Sequence, residues 1–263
     1  MRVAIAISGH MKNYQVALSS FMRDLVIPNN ADLFFYLFEE RYPAGHISTF
    51  SQEAQEKYST KVTRRELETA FGGVRVKKVV FVSDNIHHRD EVDRLYEVAK
   101  KDASLLPKDL SFPMDDPWIK YSIIEQHYSR YYAMNLVPDS YDICIYARPE
   151  IIFTSPLRIK DPGDSAIVID YRGPDDVWCS EQLMFGRTSL MKKLSVDFKE
   201  NMFKYLTSGK DRRGPEHLVA RFLESKGYDI VRGVIVDWHY LPPLLIEGHS
   251  ERVFLCVPQE GWT

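Results

Sequence analysis

The chain has 263 residues, 44% apolar and 27% charged, ordinary proportions for a globular protein that exclude a disordered one. At that length roughly three-quarters of the unfolded surface can be buried, in one large α/β domain or two small ones. A formal net charge of −3 gives no global drive toward nucleic acid, and no stretch reaches the roughly 18 uninterrupted apolar residues of a membrane span.

Residues 3–7 read as a first buried strand, ending in Ser8-Gly9-His10 and followed by a helix over 14–25. Strand, small-residue turn, helix is a nucleotide-binding geometry, because glycine lets the backbone approach a ligand and a helix start offers unpaired N–H groups. A tight turn alone would use the same glycine. Lys12 and Asn13 follow at once, a cation and an amide placed to meet a diphosphate or a base. This opening is too short for a signal peptide. Residues 32–38 form a second strand, 44–59 a polar surface excursion, and 63–70 a helix capped by Thr63 with Glu66 three positions on. A third strand spans 74–82; its Lys77-Lys78 pair reads as a solvated face, and Ser83-Asp84-Asn85 closes it as a turn. His87-His88 and Asp90 lack metal-ligand spacing and read as polar loop.

Residues 90–101 are charged and helical, and 105–117 form a proline-bearing connecting loop. The longest helix, 118–137, starts after Asp115-Asp116-Pro117 and is halted by Pro138; Tyr128, Tyr131 and Tyr132 form a core stripe on it. The centre of the chain is 141–153, YDICIYARPEIIF. Its apolar run around Ile143 and Ile145 reads as a strand buried on both faces. Pro149 lacks an N–H and restricts the residue before it, so the strand bends there and leaves Arg148 and Glu150 at a crevice edge. Residues 166–171 and 181–185 are further strands joined by a polar turn over 172–176, with a helix over 188–194. A helix beginning at Gly214-Pro215 ends at Gly227, and 230–237 is strand-like. Cys144, Cys179 and Cys256 are odd in number and unpatterned, which argues against disulfides and zinc and for a reducing, cytoplasmic setting.

The order of VAIAISGHMKNY, ADLFFYLFEE, YDICIYARPEIIF, EQLMFGRTSLMKKL and GPEHLVARFLESKG resembles a group of small GT-A, nucleotide-diphospho-sugar transferase-like proteins. The resemblance implies one Rossmann-like α/β domain over 1–263 with a central mixed, mostly parallel sheet flanked by helices. Residues 1–153 would form the nucleotide-sugar half and 154–263 the acceptor half. It implies a glycosyltransferase of EC 2.4 type, taking a UDP- or GDP-type donor to a glycan or glycan precursor. The donor pocket would draw on Ser8, Gly9, His10, Lys12, Asn13, Asp84, Arg148 and Glu150, with Gln126 or Arg130 looking inward. The general base would be Glu216, with Asp176 and Glu181 behind it, and Gln182 beside the transferred sugar.

In this sequence Arg148 and Glu150 stand where the broader fold carries Asp-x-Asp. Either Glu150 holds Mn²⁺ or Mg²⁺ with help from His239, or Arg148 and Lys12 supply the positive charge. A salt bridge between Arg148 and Glu150 bracing the bend is the structural alternative. A non-catalytic sugar-nucleotide or glycan-binding protein is the other functional reading. A nucleotidyltransferase would want a richer phosphate loop than SGHMKN.

Overall fold

Seven strands pair into one sheet in the order β3-β2-β1-β4-β7-β6-β8 of a computed structural model. The structure describes residues 1–12, 14–41, 60–83, 90, 124–171, 179–207, 214–240 and 252–262. The strands are β1 (Val3–Gly9), β2 (Asp32–Phe38), β3 (Val76–Val82), β4 (Ile143–Ala147), β6 (Ala166–Tyr171), β7 (Cys179–Arg187) and β8 (Asp229–Arg232). All run parallel except β7, which is antiparallel to both β4 and β6. The central mixed, mostly parallel sheet expected from the sequence is therefore present. It draws strands from both halves of the chain.

The run around Ile143 forms the expected inner strand, with all five residues of β4 buried. Pro149 ends it, and the chain then crosses to a second sheet. That sheet holds β5 (Ile151–Phe153), β10 (Arg252–Pro258) and β9 (Val234–Tyr240), ordered β5-β10-β9. β10 was not expected from the sequence; it pairs antiparallel with the nearby β9 and parallel with β5, about a hundred residues earlier in the chain. The strand expected over 230–237 is two strands. Gly233 separates them, sending β8 to the large sheet and β9 to the small one.

One face of the large sheet, with Ile5, Ile7, Phe35, Ile145 and Phe185, buries α1 (Tyr14–Ser20), α2 (Arg64–Phe71) and the small sheet. The other, with Ala4, Ala6, Phe34, Cys144 and Met184, buries α3 (Ile124–Asn135), α4 (Thr188–Thr207) and α5 (Gly214–Ser225). The helix expected over 14–25 continues past α1 as a π-helical segment, Phe21–Val26. Its end is closed by the Ile27 N–H reaching the Met22 carbonyl at 2.9 Å. Thr63 caps α2 as expected, its hydroxyl accepting the Glu66 N–H at 3.2 Å. Residues 72–75 form a turn, so β3 starts two residues later than expected, and α4 runs well past residue 194. α5 closes on Gly227 at φ 69°, where the Tyr228 N–H bonds the Leu223 carbonyl and the Gly227 N–H that of Glu224.

Gly233 is fixed by contact. A Cβ there would lie 2.3 Å from Val168 Cγ1 and 3.1 Å from the Trp262 indole nitrogen, with Val168 fully buried. Gly233→Ala is expected to lower unfolding free energy by about 1–3 kcal/mol in urea denaturation, as overpacking does. Gly73→Ala, whose added methyl would make only an ordinary 3.8 Å contact, is expected to be close to neutral in the same measurement.

Candidate functional site

The carboxyl ends of β1, β2, β4, β6 and β8 open at one edge of the large sheet, and β7 begins there. β1 has β2 on one side and β4 on the other, so the chain connections diverge between β1 and β4. In open α/β sheets ligands bind in the crevice at such a switch point.

At the end of β4 the Arg148 N–H still bonds the Gln182 carbonyl at 3.0 Å, before Pro149 breaks the ladder. The turn buries Glu150 to 5% exposure. A buried carboxylate is stable as an anion only when paired. Arg148 supplies the partner with a two-pronged contact, Nη2 to Oε1 at 2.6 Å and Nε to Oε2 at 3.3 Å. Burial alone pushes the Glu150 carboxyl up. The charge and hydrogen bonds of Arg148, with Lys12 nearby, outweigh it and hold the carboxyl below its ordinary value. The bracing salt bridge thus forms.

At the end of β1, Gly9 adopts φ 96°, with no atom within 4 Å of where a Cβ would lie, so the backbone there is open to approach. His10 follows, stacked on Phe38 with ring centroids 4.4 Å apart. Its Nδ1–H donates to the Glu40 carbonyl at 2.8 Å, which leaves Nε2 as an acceptor. Its pKa falls from 6.5 to about 4. Burial is the main cause, the Glu40 carbonyl and Glu150 oppose it, and Lys12 and Arg148 add to it. His10, Lys12, Arg148 and Glu150 therefore share one electrostatic neighbourhood, assembled from β1 and β4 as the sequence suggested.

Helix α3 adds residues the sequence reading underweighted. Ser129 donates to the Ser8 hydroxyl at 3.3 Å, and Ser8 lies 3.2 Å from the Tyr146 hydroxyl. Arg130, only 2% exposed, lays its guanidinium 4.6 Å over the Tyr146 ring. Arg130 does lie inward. The legible signal was polar Ser129 and Arg130 interrupting an aromatic core stripe. Asp170 near the end of β6 is wholly buried and accepts the Val236 N–H at 3.0 Å, tying the small sheet to the large one. A charged residue inside AIVIDY was its sequence signal.

The remaining expected residues divide in two. Asn13, Asp84 and Asp176, like His87 and His88, lie outside the described residues. Glu181, Glu216 and His239 are described by backbone. Glu181 stands at the start of β7, and Glu216 in the first turn of α5. β5 pairs with β10 at Ile151–Phe254 and β10 with β9 at Val253–His239, so the His239 backbone stands level with Glu150, two strands away. Gln126 is placed in α3 by backbone alone. Among the described residues, no three His, Cys, Asp or Glu side chains converge as a metal site would require.

No family model matches the sequence, and no curated protein is similar to it. Among solved structures, the apo form of mouse xyloside xylosyltransferase 1 is similar at 10% identity and a TM-score of 0.44, over 87% of this chain and 84% of that one.

Removing one partner of a buried ion pair leaves the other uncompensated. Arg148→Met is expected to cost about 3–5 kcal/mol of unfolding free energy, and most of that loss to return in the Arg148→Met, Glu150→Gln double variant. Denaturant titration of the four species measures it. His10 sets a pH dependence. With a folded pKa near 4 against 6.5 unfolded, the unfolded state binds more protons between those values, so stability falls as pH drops from about 6.5 to 4. The loss is expected to reach about 3 kcal/mol and to shrink in His10→Gln, read from denaturation at pH 7 and pH 4.

Proposed function

We propose that the chain is a GT-A-like glycosyltransferase, moving a sugar from a nucleotide-diphosphate donor to a glycan or glycan-precursor acceptor. The observation that carries this reading is the gathering of Lys12, Arg148 and Glu150 at the carboxyl ends of β1 and β4, beside the open backbone of Gly9. Transfer breaks the bond between the anomeric carbon and the diphosphate oxygen, so negative charge builds on the leaving group. Lys12 and the guanidinium charge of Arg148 are the groups to stabilise it. The acceptor hydroxyl attacks the anomeric carbon and gives its proton to a base in an inverting reaction. Glu216 is the residue we assign, with Asp176 and Glu181 as the alternatives behind it.

The whole chain acts as one domain in this reading, 1–153 holding the donor and 154–263 the acceptor. A divalent cation fits Glu150 poorly, because both its oxygens already accept from Arg148. We therefore assign the charge stabilisation to the cationic side chains. The same pairing of Glu150 with Arg148 favours a second reading, a protein that binds the sugar nucleotide or glycan without turning it over. A reducing, cytoplasmic setting is supported by Cys144 and Cys256, buried free thiols whose burial raises the Cys144 pKa to about 12. Among the described residues no helix is long and apolar enough to cross a membrane.

Calorimetric titration with UDP and GDP, in Mn²⁺ and again in chelator, tests the donor site. Binding is expected to survive chelation and to weaken at least about tenfold in the Arg148→Gln, Glu150→Gln double variant, the loss of one charge-assisted fork. Binding that needs Mn²⁺ and fails in Glu150→Gln would instead return the role to a metal on Glu150 and His239. Absence of binding in both conditions would overturn the donor-site reading.

A further inference from the structure

His10 is a titratable group at the crevice to which the proposed transfer assigns no task. It stands directly after Gly9, whose backbone is open to approach, and its own ring is partly exposed. Two contacts fix that ring. Phe38 stacks on it with centroids 4.4 Å apart, and the Glu40 carbonyl lies 2.8 Å from Nδ1. A carbonyl oxygen can only accept, so Nδ1 keeps its hydrogen whether the imidazole is neutral or charged. Any proton gained or lost is therefore at Nε2, which makes no hydrogen bond among the described residues. The charged groups acting on the ring are Lys12 from its own turn and Arg148 and Glu150 from the turn after β4. The exit of β2 contributes only the Phe38 ring and the Glu40 carbonyl to it. In the free chain burial, reinforced by the two cations, keeps the imidazole neutral with a pKa of about 4. A bound diphosphate would reverse that balance, because it brings two negative charges into the neighbourhood of Lys12 and Arg148.

We propose that His10 is a conditional phosphate ligand: on donor binding it takes one proton from solvent at Nε2 and donates that N–H to the diphosphate, a third positive charge beside Lys12 and Arg148. The inference rests on the nucleotide-donor reading above. With the Nδ1 hydrogen committed to Glu40, a neutral His10 turns a lone pair toward phosphate, which repels its oxygens. The protonated ring offers a charge-assisted donor instead. That donor also stabilises the negative charge building on the leaving diphosphate. The proton returns to solvent when the nucleoside diphosphate departs.

Calorimetric titration of the whole chain with UDP-glucose and GDP-mannose tests this, because a diphosphate esterified at both ends exchanges no proton of its own near neutral pH. Binding favours the protonated ring, so affinity must grow as pH falls. It is expected to rise about tenfold from about pH 7.5 to about pH 5.5, as when binding returns a histidine to its ordinary value. Titrations near pH 6.5 in two buffers of different ionisation enthalpy are expected to show uptake of about half a proton per donor bound. His10→Asn keeps an N–H for the Glu40 carbonyl but lacks Nε2. It is expected to bind without proton uptake and with the same affinity at both pH values. Donor binding by the unaltered chain without proton uptake overturns the proposal even if that variant folds poorly. Uptake that persists in His10→Asn overturns it too, and in both cases the donor site stands. Binding of neither donor at either pH overturns both readings.

Discussion

A carboxylate buried where one sheet hands the chain to another must be paired, and the pairing of Glu150 with Arg148 organises the rest of the fold around it. Pro149 forces the break in the β4 ladder, and the two residues on either side of it close the bend with opposite charges. Because the bend is held, β4 can sit in the middle of the large sheet while β5, three residues on, starts the small one. The small sheet in turn brings Phe153 and Cys256 into the core on the face of the large sheet carrying Ile145 and Phe185, and Asp170 fastens it through the Val236 N–H. One ion pair thus sits where architecture and candidate chemistry meet. That position explains its geometry without deciding between the two roles, since a fork that braces a turn also presents guanidinium charge to the crevice beside it.

Continuous apolar runs of strand length made the large sheet readable. Strands β1, β2, β4 and β6 are short apolar runs bounded by turn residues, and their buried patterns follow from that. The small sheet was not readable in the same way. β10 joins the nearby β9 to β5, about a hundred residues distant, and local periodicity carries no information about a partner so far away. Gly233 was passed over because a glycine inside an apolar run looks like a weak strand position. Its actual reason, the approach of Val168 and Trp262, is a tertiary contact. The π-helical widening after Ser20 is similarly a packing outcome, with Phe21 set edge-on against both Phe71 and Phe153.

The candidate site was legible where it depended on strand ends. Ser8, Gly9, His10, Lys12, Arg148 and Glu150 follow directly from where two adjacent parallel strands stop. What the sequence hid was the layer supplied by α3, where Ser129 and Arg130 sit within an aromatic stripe that reads as core, and the coupling of His10 to the Glu40 carbonyl across the β1–β2 pair. These contacts make the crevice polar along its floor, beside the charges of Lys12, Arg148 and Glu150.

The measurement that bears most directly on this account is release of nucleoside diphosphate from a panel of nucleotide sugars, followed in chelator with the purified chain. The account predicts release from at least one donor, undiminished by removal of divalent cations and abolished in the Arg148→Gln, Glu150→Gln double variant. Release equal in the wild-type chain and the double variant would contradict it, as would a complete dependence on added Mn²⁺.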